Sequence, residues 1–450
     1  MSLMKVRRSL LAEASVGLCH FKSVILRPQT DRGHCSLALA FLLIFYLVFA
    51  NEASGGWASR FSLSLGEEYN DNIFFEKRKQ HDFTTVISPT FSILYSPLGQ
   101  SKPIFTADLT PRGEIFARHG EESNFARNID FNTEYTHYYS PRLIIYVKDT
   151  LQRLGNTRSG ESRFETGLPP AGGATGGPPG LQRFGDFVSR GEQIQNVIST
   201  RGTYIYSPNV SFTGDYAFGY KNFIDQGGSD IWLRVGARGV YKWLDEHNLH
   251  FGYGLDYIKS RDGDSNIVHN IDIGDDYFSS LKLQLDPTLT IFGSTGIGIV
   301  TGSRGVRLVN RLNVNVTKLW QTATLTVGVN KGITPSLGVA GVSDTTSFLA
   351  NFNIRLTQLL TGFVASNFSL FDTEDGNFET FTASTGMQYR ILSWLASELR
   401  YSHRWRDSSA AVESAGLGHG KIHSNVISLS FTASFDVWPN TGFARGPALP

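Results

Sequence analysis

The 450 residues could form two or three soluble domains or one large barrel, and the composition helps to separate these possibilities. Only 18% of the residues are charged, which is low for soluble domains, and a formal net charge of +1 gives no basic excess for binding nucleic acid. Gly (46), Phe (32) and Tyr (17) are abundant, as expected for many strands joined by tight turns and ringed by aromatic side chains.

The N-terminal 50 residues differ from the rest of the chain. Basic residues between Lys5 and Arg32 precede one apolar run, residues 36–50, which ends in Val48-Phe49-Ala50. The run is short for a transmembrane helix, and it ends on the small residue that signal peptidase requires. We therefore predict a secretory signal peptide over residues 1–50. A membrane anchor that is not removed is the alternative.

Cleavage there would change the charge and the chemistry of the chain. It would remove six of the 41 basic and two of the 40 acidic residues, which leaves 35 and 38 and a formal charge of −3. Cys19 and Cys35 would leave as well, so the remaining chain could form no disulfide and no thiolate metal site. No other apolar run is long enough for a spanning helix, so any membrane crossing must be made by strands.

Beyond residue 59 the chain divides into strand-length segments, with short turns alternating with longer connections. Several short turns carry Pro after Ser or Asp, which ends a strand. Eight short turns and nine longer connections join 18 strands, typical of bacterial outer-membrane barrels with both termini on the periplasmic side, and 16 strands fit equally well. The short turns are residues 96–103, 139–142, 206–209, 244–248, 285–288, 318–321, 356–361 and 390–394, and the longer connections are 70–81, 119–123, 152–192, 222–229, 261–266, 302–305, 333–345, 372–377 and 406–420.

The first of these strands carries a recognisable motif. Residues 65–75 (LGEEYNDNIFF) are similar to the opening strand and loop of the β-barrel porin 2 family of outer-membrane barrels, which are often associated with exopolysaccharide or protein-sorting gene clusters. The resemblance implies an outer-membrane barrel, favours saccharide traffic and brings no catalytic residues. Many such barrels end on an aromatic residue that the assembly machinery reads, whereas here PNTGFARGPALP follows Trp438. The resemblance is carried by Tyr69, Asn70, Asp71, Asn72 and Ile73.

The longest connection, residues 152–192, contains LPPAGGATGGPPG and joins the fifth and sixth predicted strands. General porins carry an inward-folded constriction loop at this position. The Pro and Gly content instead favours a mobile outer loop. Both interpretations remain open, and composition favours the second.

The last strand, residues 425–437, shows the predicted facing most clearly. Ile427, Leu429, Phe431 and Phe435 alternate with Ser and Thr, and residues 210–219, 249–257, 348–357 and 380–389 follow the same pattern. A soluble sandwich or solenoid also alternates, but the signal peptide, the aromatic-rich faces and the many long strands together favour an apolar face toward lipid and a polar face toward water. Aromatic residues near strand ends predict headgroup-level girdles: Tyr135, Tyr139, Tyr204, Tyr206, Trp243, Trp320, Trp394, Tyr401, Trp405 and Trp438.

Strand parity also predicts which charged residues line the interior. Basic residues of the later strands would face acidic residues of the earlier ones, and the resulting transverse field would orient polar solutes and exclude apolar ones. The alternative is that these charges form salt bridges in a filled or narrow lumen. The basic set is Arg234, Arg238, Lys242, Arg307, Arg311, Arg355, Arg390, Arg400 and Arg404, and the acidic set is Asp108, Glu114, Asp130, Glu134, Asp215, Asp256 and Asp272.

No pattern of residues indicates catalysis or metal binding. Glu67, Glu68 and Asp71 could bind Ca²⁺ through their oxygen atoms, but they lack the spacing of a calcium loop, and a solvated loop is the favoured interpretation. No nucleophile-elbow or helical zinc motif is present, and Gly252-Tyr253-Gly254 and Gly296-Ile297-Gly298 are interpreted as interior glycines within strands rather than phosphate loops. We therefore expect neither an enzyme nor a cofactor.

The sequence predicts an all-β protein, a transmembrane antiparallel up-and-down barrel of about 16–18 strands. Its signal peptide would occupy residues 1–50, the barrel 51–438 and a tail 439–450. The predicted function is a porin-like channel for hydrophilic solutes in the Gram-negative outer membrane, with a non-conducting scaffold for a secretion or surface partner as the alternative and a barrel enzyme as a weaker one. Expected partners are outer-membrane lipid and lipopolysaccharide, hydrophilic solutes or saccharides, the barrel-assembly machinery and further copies in a homo-oligomer.

Overall fold

The computed structural model describes only part of the chain, in twelve stretches. The predicted signal peptide (1–50), the predicted tail (439–450) and most of the connection 152–192 lie outside them. The described residues are 55–75, 77–97, 104–155, 192–224, 227–260, 263, 265–278, 288–302, 305–335, 342–373, 376–408 and 420–438.

Across these described stretches, eighteen antiparallel strands follow one another round a single sheet. Each strand pairs with its neighbours in the chain, and the last pairs with the first from Ser59↔Trp438 to Asn70↔Val426, so the sheet closes into a barrel. The predicted up-and-down barrel is confirmed, with 18 strands. The strands are β1 Gly55–Asn70, β2 Asp82–Pro97, β3 Phe105–Phe116, β4 Asn124–Ser140, β5 Leu143–Leu154, β6 Gln193–Ser207, β7 Val210–Phe223, β8 Ser229–Lys242, β9 His247–Lys259, β10 Ser265–Phe278, β11 Leu289–Gly302, β12 Gly305–Leu319, β13 Ala323–Pro335, β14 Val342–Arg355, β15 Leu360–Thr373, β16 Gly376–Leu392, β17 Leu395–Ser408 and β18 Ile422–Trp438.

Helical structure is confined to one 3-10 turn, Gly120–Glu122, within the stretches that the structure describes. None of their helices is long and apolar enough to cross a membrane.

The two faces of the barrel differ in chemistry. Contacts between strands that are not neighbours identify the interior, because side chains converge only on the concave side of a closed sheet. Arg112 of β3 reaches Glu68 of β1 across β2, and Arg311 of β12 reaches Asp272 of β10 across β11. The interior face is therefore the charged one, and the exposed apolar residues of the opposite parity form the exterior.

The exterior carries a continuous apolar band. On β18 the exposed residues Ile427, Leu429, Phe431 and Phe435 alternate with inward-facing Ser and Thr. Eight residue steps at about 3.4 Å span roughly 27 Å along the strand. Strands tilted by about 40° reduce this to roughly 21 Å along the barrel axis, comparable with the apolar band of about 25 Å on outer-membrane barrels.

Exposed aromatic residues mark one edge of this band. Tyr139 is 73% exposed and Trp394 is 44% exposed, and both lie beside a short connection. Because alternate connections of an up-and-down barrel lie at the same end, these residues form one ring, which also includes Tyr206, Trp243 and Trp320. A ring of amphipathic aromatic side chains at the edge of an apolar band is the arrangement found at a membrane–water interface.

Strand β15 shows poor alternation between apolar and polar residues. Its interior face carries Phe363, Ala365 and Phe371 as well as Asn367 and Ser369, so apolar residues occupy both faces. The interior aromatic rings have local partners: Phe371 stacks on Phe378 of β16, with 4.3 Å between ring centres, and Arg400 of β17 lies 5.5 Å from the Phe363 ring centre. The irregular hydropathy of this strand therefore reflects interior aromatic contacts in a regular strand.

Candidate functional site: the barrel interior

The structure places every predicted interior charge on the inward-facing parity of its strand. Their part in a solute path remains a prediction. The basic residues are Arg234, Arg238 and Lys242 on β8, Arg307 and Arg311 on β12, Arg355 on β14, Arg390 on β16, and Arg400 and Arg404 on β17; the acidic residues are Asp108 and Glu114 on β3, Asp130 and Glu134 on β4, Asp215 on β7, Asp256 on β9 and Asp272 on β10.

On one half of the wall these charges pair with their neighbours. The Nε of Arg201 on β6 donates to Oδ1 of Asp215 on β7 at 2.6 Å. Arg234 on β8 makes a two-pronged contact with Asp256 on β9, at 2.6 and 2.9 Å, and Nδ2 of Asn270 donates to the same carboxylate at 2.7 Å. Paired guanidinium and carboxylate groups of this geometry hold each other in fixed orientations.

Glycines make room for the longest of these contacts. Asp272 and Arg311 lie in register with Gly296 between them, and their side chains meet over it at 3.5 Å. A Cβ on Gly296 would lie 2.0 Å from the Ile271 carbonyl oxygen. On the other side, a Cβ on Gly252 would lie 2.7 Å from Asp272. These interior glycines leave space for the charges that lie against them.

The charges are therefore interleaved, and this differs from the expectation of a basic wall facing an acidic wall. The pattern follows from register, because Asp215, Asp256 and Asp272 each fall beside an arginine on a nearby strand. The band contains three cations and three anions, so its field is dipolar and local rather than directed across the lumen. Its members are Arg201, Asp215, Arg234, Asp256, Asp272 and Arg311.

A second set of charges lies on the wall where the barrel closes. Arg400, Arg404 and Arg406 project inward from alternate positions of β17, and Arg404 and Arg406 are only 4% and 1% exposed. Across the closing strands, Arg112 of β3 contacts Glu114 at 2.7 Å and Glu68 of β1 at 3.5 Å. Side chains on this part of the wall are packed tightly.

Sequence reasoning missed several interior charged residues, of which five illustrate the reason. The sequence pattern places Arg406 in a loop, whereas the structure shows that it continues the parity of Arg400 and Arg404 into the end of β17. Applying strand parity to every charged residue would have found the other four as well, which are Arg201, Glu68, Arg112 and Lys148. Lys148 donates to Glu134 at 2.8 Å.

The interior is not uniformly polar. An apolar cluster crosses six neighbouring strands on the loop side of the charged band. All of its members are buried, so this zone offers a passing solute few hydrogen-bonding groups. They are Ala217, Trp232, Ile258, Val268, Val300 and Val309. On the turn side of β1–β4, by contrast, a recess is lined by polar side chains that include Arg60, Asp108, Asn132 and Glu134.

The motif residues lie where the first strand meets the last. Asn70 Oδ1 accepts hydrogen bonds from the Asn72 backbone N–H and from Ser424 Oγ, both at 2.9 Å. Asn72 Nδ2 donates to the His423 carbonyl oxygen at 2.8 Å. We call this group, together with Asp71 and Asn425, the seam clasp, because its hydrogen bonds join the start of the β1–β2 connection to β18.

Asp71 makes the strongest contacts of the clasp. Its carboxylate accepts the Asn425 backbone N–H at 2.6 Å, the Asn425 side-chain amide at 2.8 Å and Lys79 Nζ at 2.7 Å. Partial burial acts to raise the pKa of Asp71, but the hydrogen bonds from Lys79 and Asn425 outweigh it, so its pKa lies below the ordinary value.

The remaining motif residues pack around the clasp. Ile73 is buried, and Tyr69 packs on Phe83 with 5.0 Å between ring centres. Neighbouring Glu67 and Glu68 point to opposite faces of β1, so they do not join Asp71 in one ligand set. No group of three or more His, Cys, Asp or Glu side chains in the described parts of the chain is placed to hold a metal ion.

Comparisons with known proteins return only remote structural likenesses. No protein-family model and no curated protein matches the chain, so the resemblance to the β-barrel porin 2 family stays a prediction. OccK2 (OpdF) of Pseudomonas aeruginosa matches with a TM-score of 0.45 at 9% identity, over 85% of this chain and 98% of that one.

Two further outer-membrane structures match at a similar level. Pseudomonas aeruginosa OpdK with vanillate gives a TM-score of 0.44 at 12% identity over 84% and 99% of the two chains. Acinetobacter baumannii OccAB3 gives 0.40 at 12% identity over 84% and 99%. Likenesses at these scores carry no argument about the solute or the mechanism of this chain.

Proposed function

We propose that this protein is an outer-membrane channel through which hydrophilic solutes pass. The observation that carries the proposal is the distribution of side chains on a closed 18-stranded barrel, with an apolar band and aromatic ring outside and interleaved charges inside. A soluble barrel would expose this band to water, whereas a bilayer covers it. Barrels of 16–18 strands are wide enough to enclose an aqueous channel.

The interior favours polar solutes that can both donate and accept hydrogen bonds. Along the band from Arg201 to Arg311, guanidinium donors are interleaved with carboxylate acceptors. A sugar hydroxyl can donate to one and accept from the other, so it can replace the water that it displaces. Saccharides are therefore the preferred solute class within the proposal. The link to exopolysaccharide export rests on the resemblance of residues 69–73 to the porin 2 family.

The remaining parts of the proposal follow from a location in the outer membrane. The signal peptide would direct export across the inner membrane, and the barrel-assembly machinery would insert the strands. Lipid and lipopolysaccharide would contact the outer band, and further copies could associate side by side in a homo-oligomer. No catalytic step is proposed.

A second candidate is a non-conducting barrel that holds a secretion or surface partner. It is favoured by the apolar interior cluster and by the buried Arg404 and Arg406, because deeply buried interior side chains are typical of a narrow or filled lumen. The two candidates differ in whether water is continuous through the barrel.

Planar-bilayer recording of the refolded chain tests the proposal. A channel gives discrete, steady current steps, and added oligosaccharide should interrupt them. A Leu94→Arg variant alters the polar interior recess and should change the step size. Folded, inserted protein that gives no current steps and no sugar uptake in a vesicle-swelling assay would refute the channel and support the scaffold.

A further inference from the structure

We propose that the outer face of the seam binds the phosphorylated headgroup of a membrane lipid. The binding surface, which we call the seam patch, consists of Lys77, Arg78, Lys79, Lys421 and His423. This inference rests on the proposed membrane location and adds a specific lipid site to it. It does not depend on whether the barrel conducts.

The seam clasp brings the members of the patch together. Asp71 joins Lys79 to Asn425, an outward-facing residue of β18, so the β1–β2 connection lies against the outer side of that strand. At the other end of the patch, the Lys77 side chain packs beside Gly420, where a Cβ would meet Lys77 Cε at 3.4 Å and Nζ at 3.7 Å. Two segments about 340 residues apart in sequence thus place their cations side by side.

The patch keeps most of its positive charge. Lys77, Arg78 and Lys421 are exposed, and none of them forms an ion pair with a described residue. Lys79 alone is paired, with Asp71. The nearby carboxylate of Glu67 accepts a hydrogen bond from Thr85 instead. Glu76 lies outside the described residues.

The order of side chains below the patch identifies its occupant. Leu399 and Leu429, which pair with each other on the outer face, are 55% and 44% exposed. Above them lie the exposed aromatic residues Phe83 and Tyr401, and the cations of the patch lie beyond these. From the apolar band outward, the surface therefore changes from aliphatic to aromatic to cationic.

A phosphorylated lipid has the complementary order, with acyl chains, then a polar headgroup, then phosphate. Phosphate offers several acceptor oxygens and close to two negative charges, which exposed Lys and Arg donors match. A soluble acidic polymer would use the cations but would leave the aliphatic and aromatic part of the surface unexplained. The observations therefore favour a lipid.

The test compares lipid retention by the full chain and by two charge variants. Each protein is refolded in zwitterionic nanodiscs that contain a small fraction of bisphosphorylated lipid A or of its dephosphorylated form, and bound lipid is counted by native mass spectrometry. Lys77→Gln, Arg78→Gln and Lys421→Gln together remove three unpaired cations and leave Asp71 and Lys79 of the clasp unchanged. As a matched control, Lys259→Gln and Lys331→Gln remove outward lysines of β9 and β13, away from the seam.

The native chain and the control variant should retain bisphosphorylated lipid A, and the seam variant should bind it more weakly. A cation close to an anionic membrane surface contributes about fivefold to affinity, so three should contribute roughly a hundredfold. Equal retention by the seam and control variants, or equal retention of the dephosphorylated lipid, would overturn the proposal. So would complete competition by inorganic phosphate or by a soluble acidic polysaccharide at the same concentration, because either would remove the need for a lipid.

Conductance separates this inference from the proposed function. The seam patch is on the outer face, so the triple variant should show the same current steps as the native chain. Lipid retention without current would refute the channel alone, and current without selective retention would refute the lipid site alone.

Discussion

Replacing Asp71 with Ala should weaken barrel closure by a measurable amount. The substitution removes two hydrogen bonds from Asn425, at 2.6 and 2.8 Å, and the contact with Lys79 at 2.7 Å. A hydrogen bond to a charged group contributes about 1.5–3 kcal/mol, and an exposed ion pair contributes about 0.2–1 kcal/mol. Since both bonds from Asn425 end on one partly exposed carboxylate, we expect a loss of about 2–4 kcal/mol in the free energy of unfolding.

Urea unfolding of the refolded protein in detergent micelles measures this loss, and the mobility of unheated samples on a gel reports whether the barrel remains closed. Thr432→Ala is the matched control, because it removes one neutral hydrogen bond, to Ser64 at 3.2 Å, from the same seam. The control should lose no more than about 1.5 kcal/mol. Equal unfolding midpoints for the two variants, with equal slopes, would refute the assignment of a clasp to Asp71.

The contribution of Asp71 should also depend on pH. Its pKa in the folded chain lies below the ordinary value, because the bonds from Lys79 and Asn425 outweigh the effect of burial. A group of this kind stabilises the fold above the pKa of the unfolded chain, and the effect is lost as pH falls through the folded pKa. The difference between the native chain and Asp71→Ala should therefore be complete at neutral pH and shrink below about pH 4. A difference that stays constant from pH 7 to pH 3 would contradict this account.

Three further substitutions test the barrel wall. Gly296→Val should prevent correct folding, because its Cβ would lie 2.0 Å from a neighbouring carbonyl oxygen. Gly202→Val is the control and should fold, because no atom lies within 4 Å of its Cβ. Gel mobility distinguishes the folded from the misfolded variant. Leu429→Lys on the outer face should lower the free energy of unfolding from the bilayer by about 2–4 kcal/mol. Ser430→Lys on the inner face should still fold, and it should shift the reversal potential of the channel toward anions. If Ser430→Lys lost more stability than Leu429→Lys, the assigned faces would be inverted. Arg234→Met leaves the buried Asp256 carboxylate without its cationic partner and should cost about 3–5 kcal/mol in urea unfolding; a neutral result would show that this ion pair does not stabilise the wall.

The strands and their facing could be predicted from the sequence because both are local properties. Alternation from Ile427 to Phe435 depends only on the pleat, in which successive side chains point to opposite sides. Eighteen such segments, joined by alternating short and long connections, already predict an up-and-down barrel. The same parity correctly placed Arg234 and Asp256 on one face, although the residues come from different strands.

The local sequence pattern predicts strand ends and facing less well where side chains of one strand contact another strand. The alternation of β15 is obscured because Phe363 and Phe371 face inward and meet Arg400 and Phe378 on neighbouring strands. The sequence pattern places Arg406 in a loop because nothing in its local sequence shows that β17 continues beyond the apolar band. The inward positions of all three residues depend on contacts with other parts of the chain, which for Arg406 is the Phe75 ring, 5.3 Å away.

The sequence by itself determined where most of the strands lie, which face most side chains take and that the apolar face is continuous, since pleat and turn chemistry act over a few residues. Only the tertiary structure decided which charges meet. Register between strands set Arg201 beside Asp215, brought Asp272 over Gly296 to Arg311, and closed β18 on β1 so that Asn425 reaches Asp71. These pairings join residues from 14 to 354 positions apart. Alternation within one strand excludes a shift by one residue but allows a shift by two, so the pairings are selected by the register between strands.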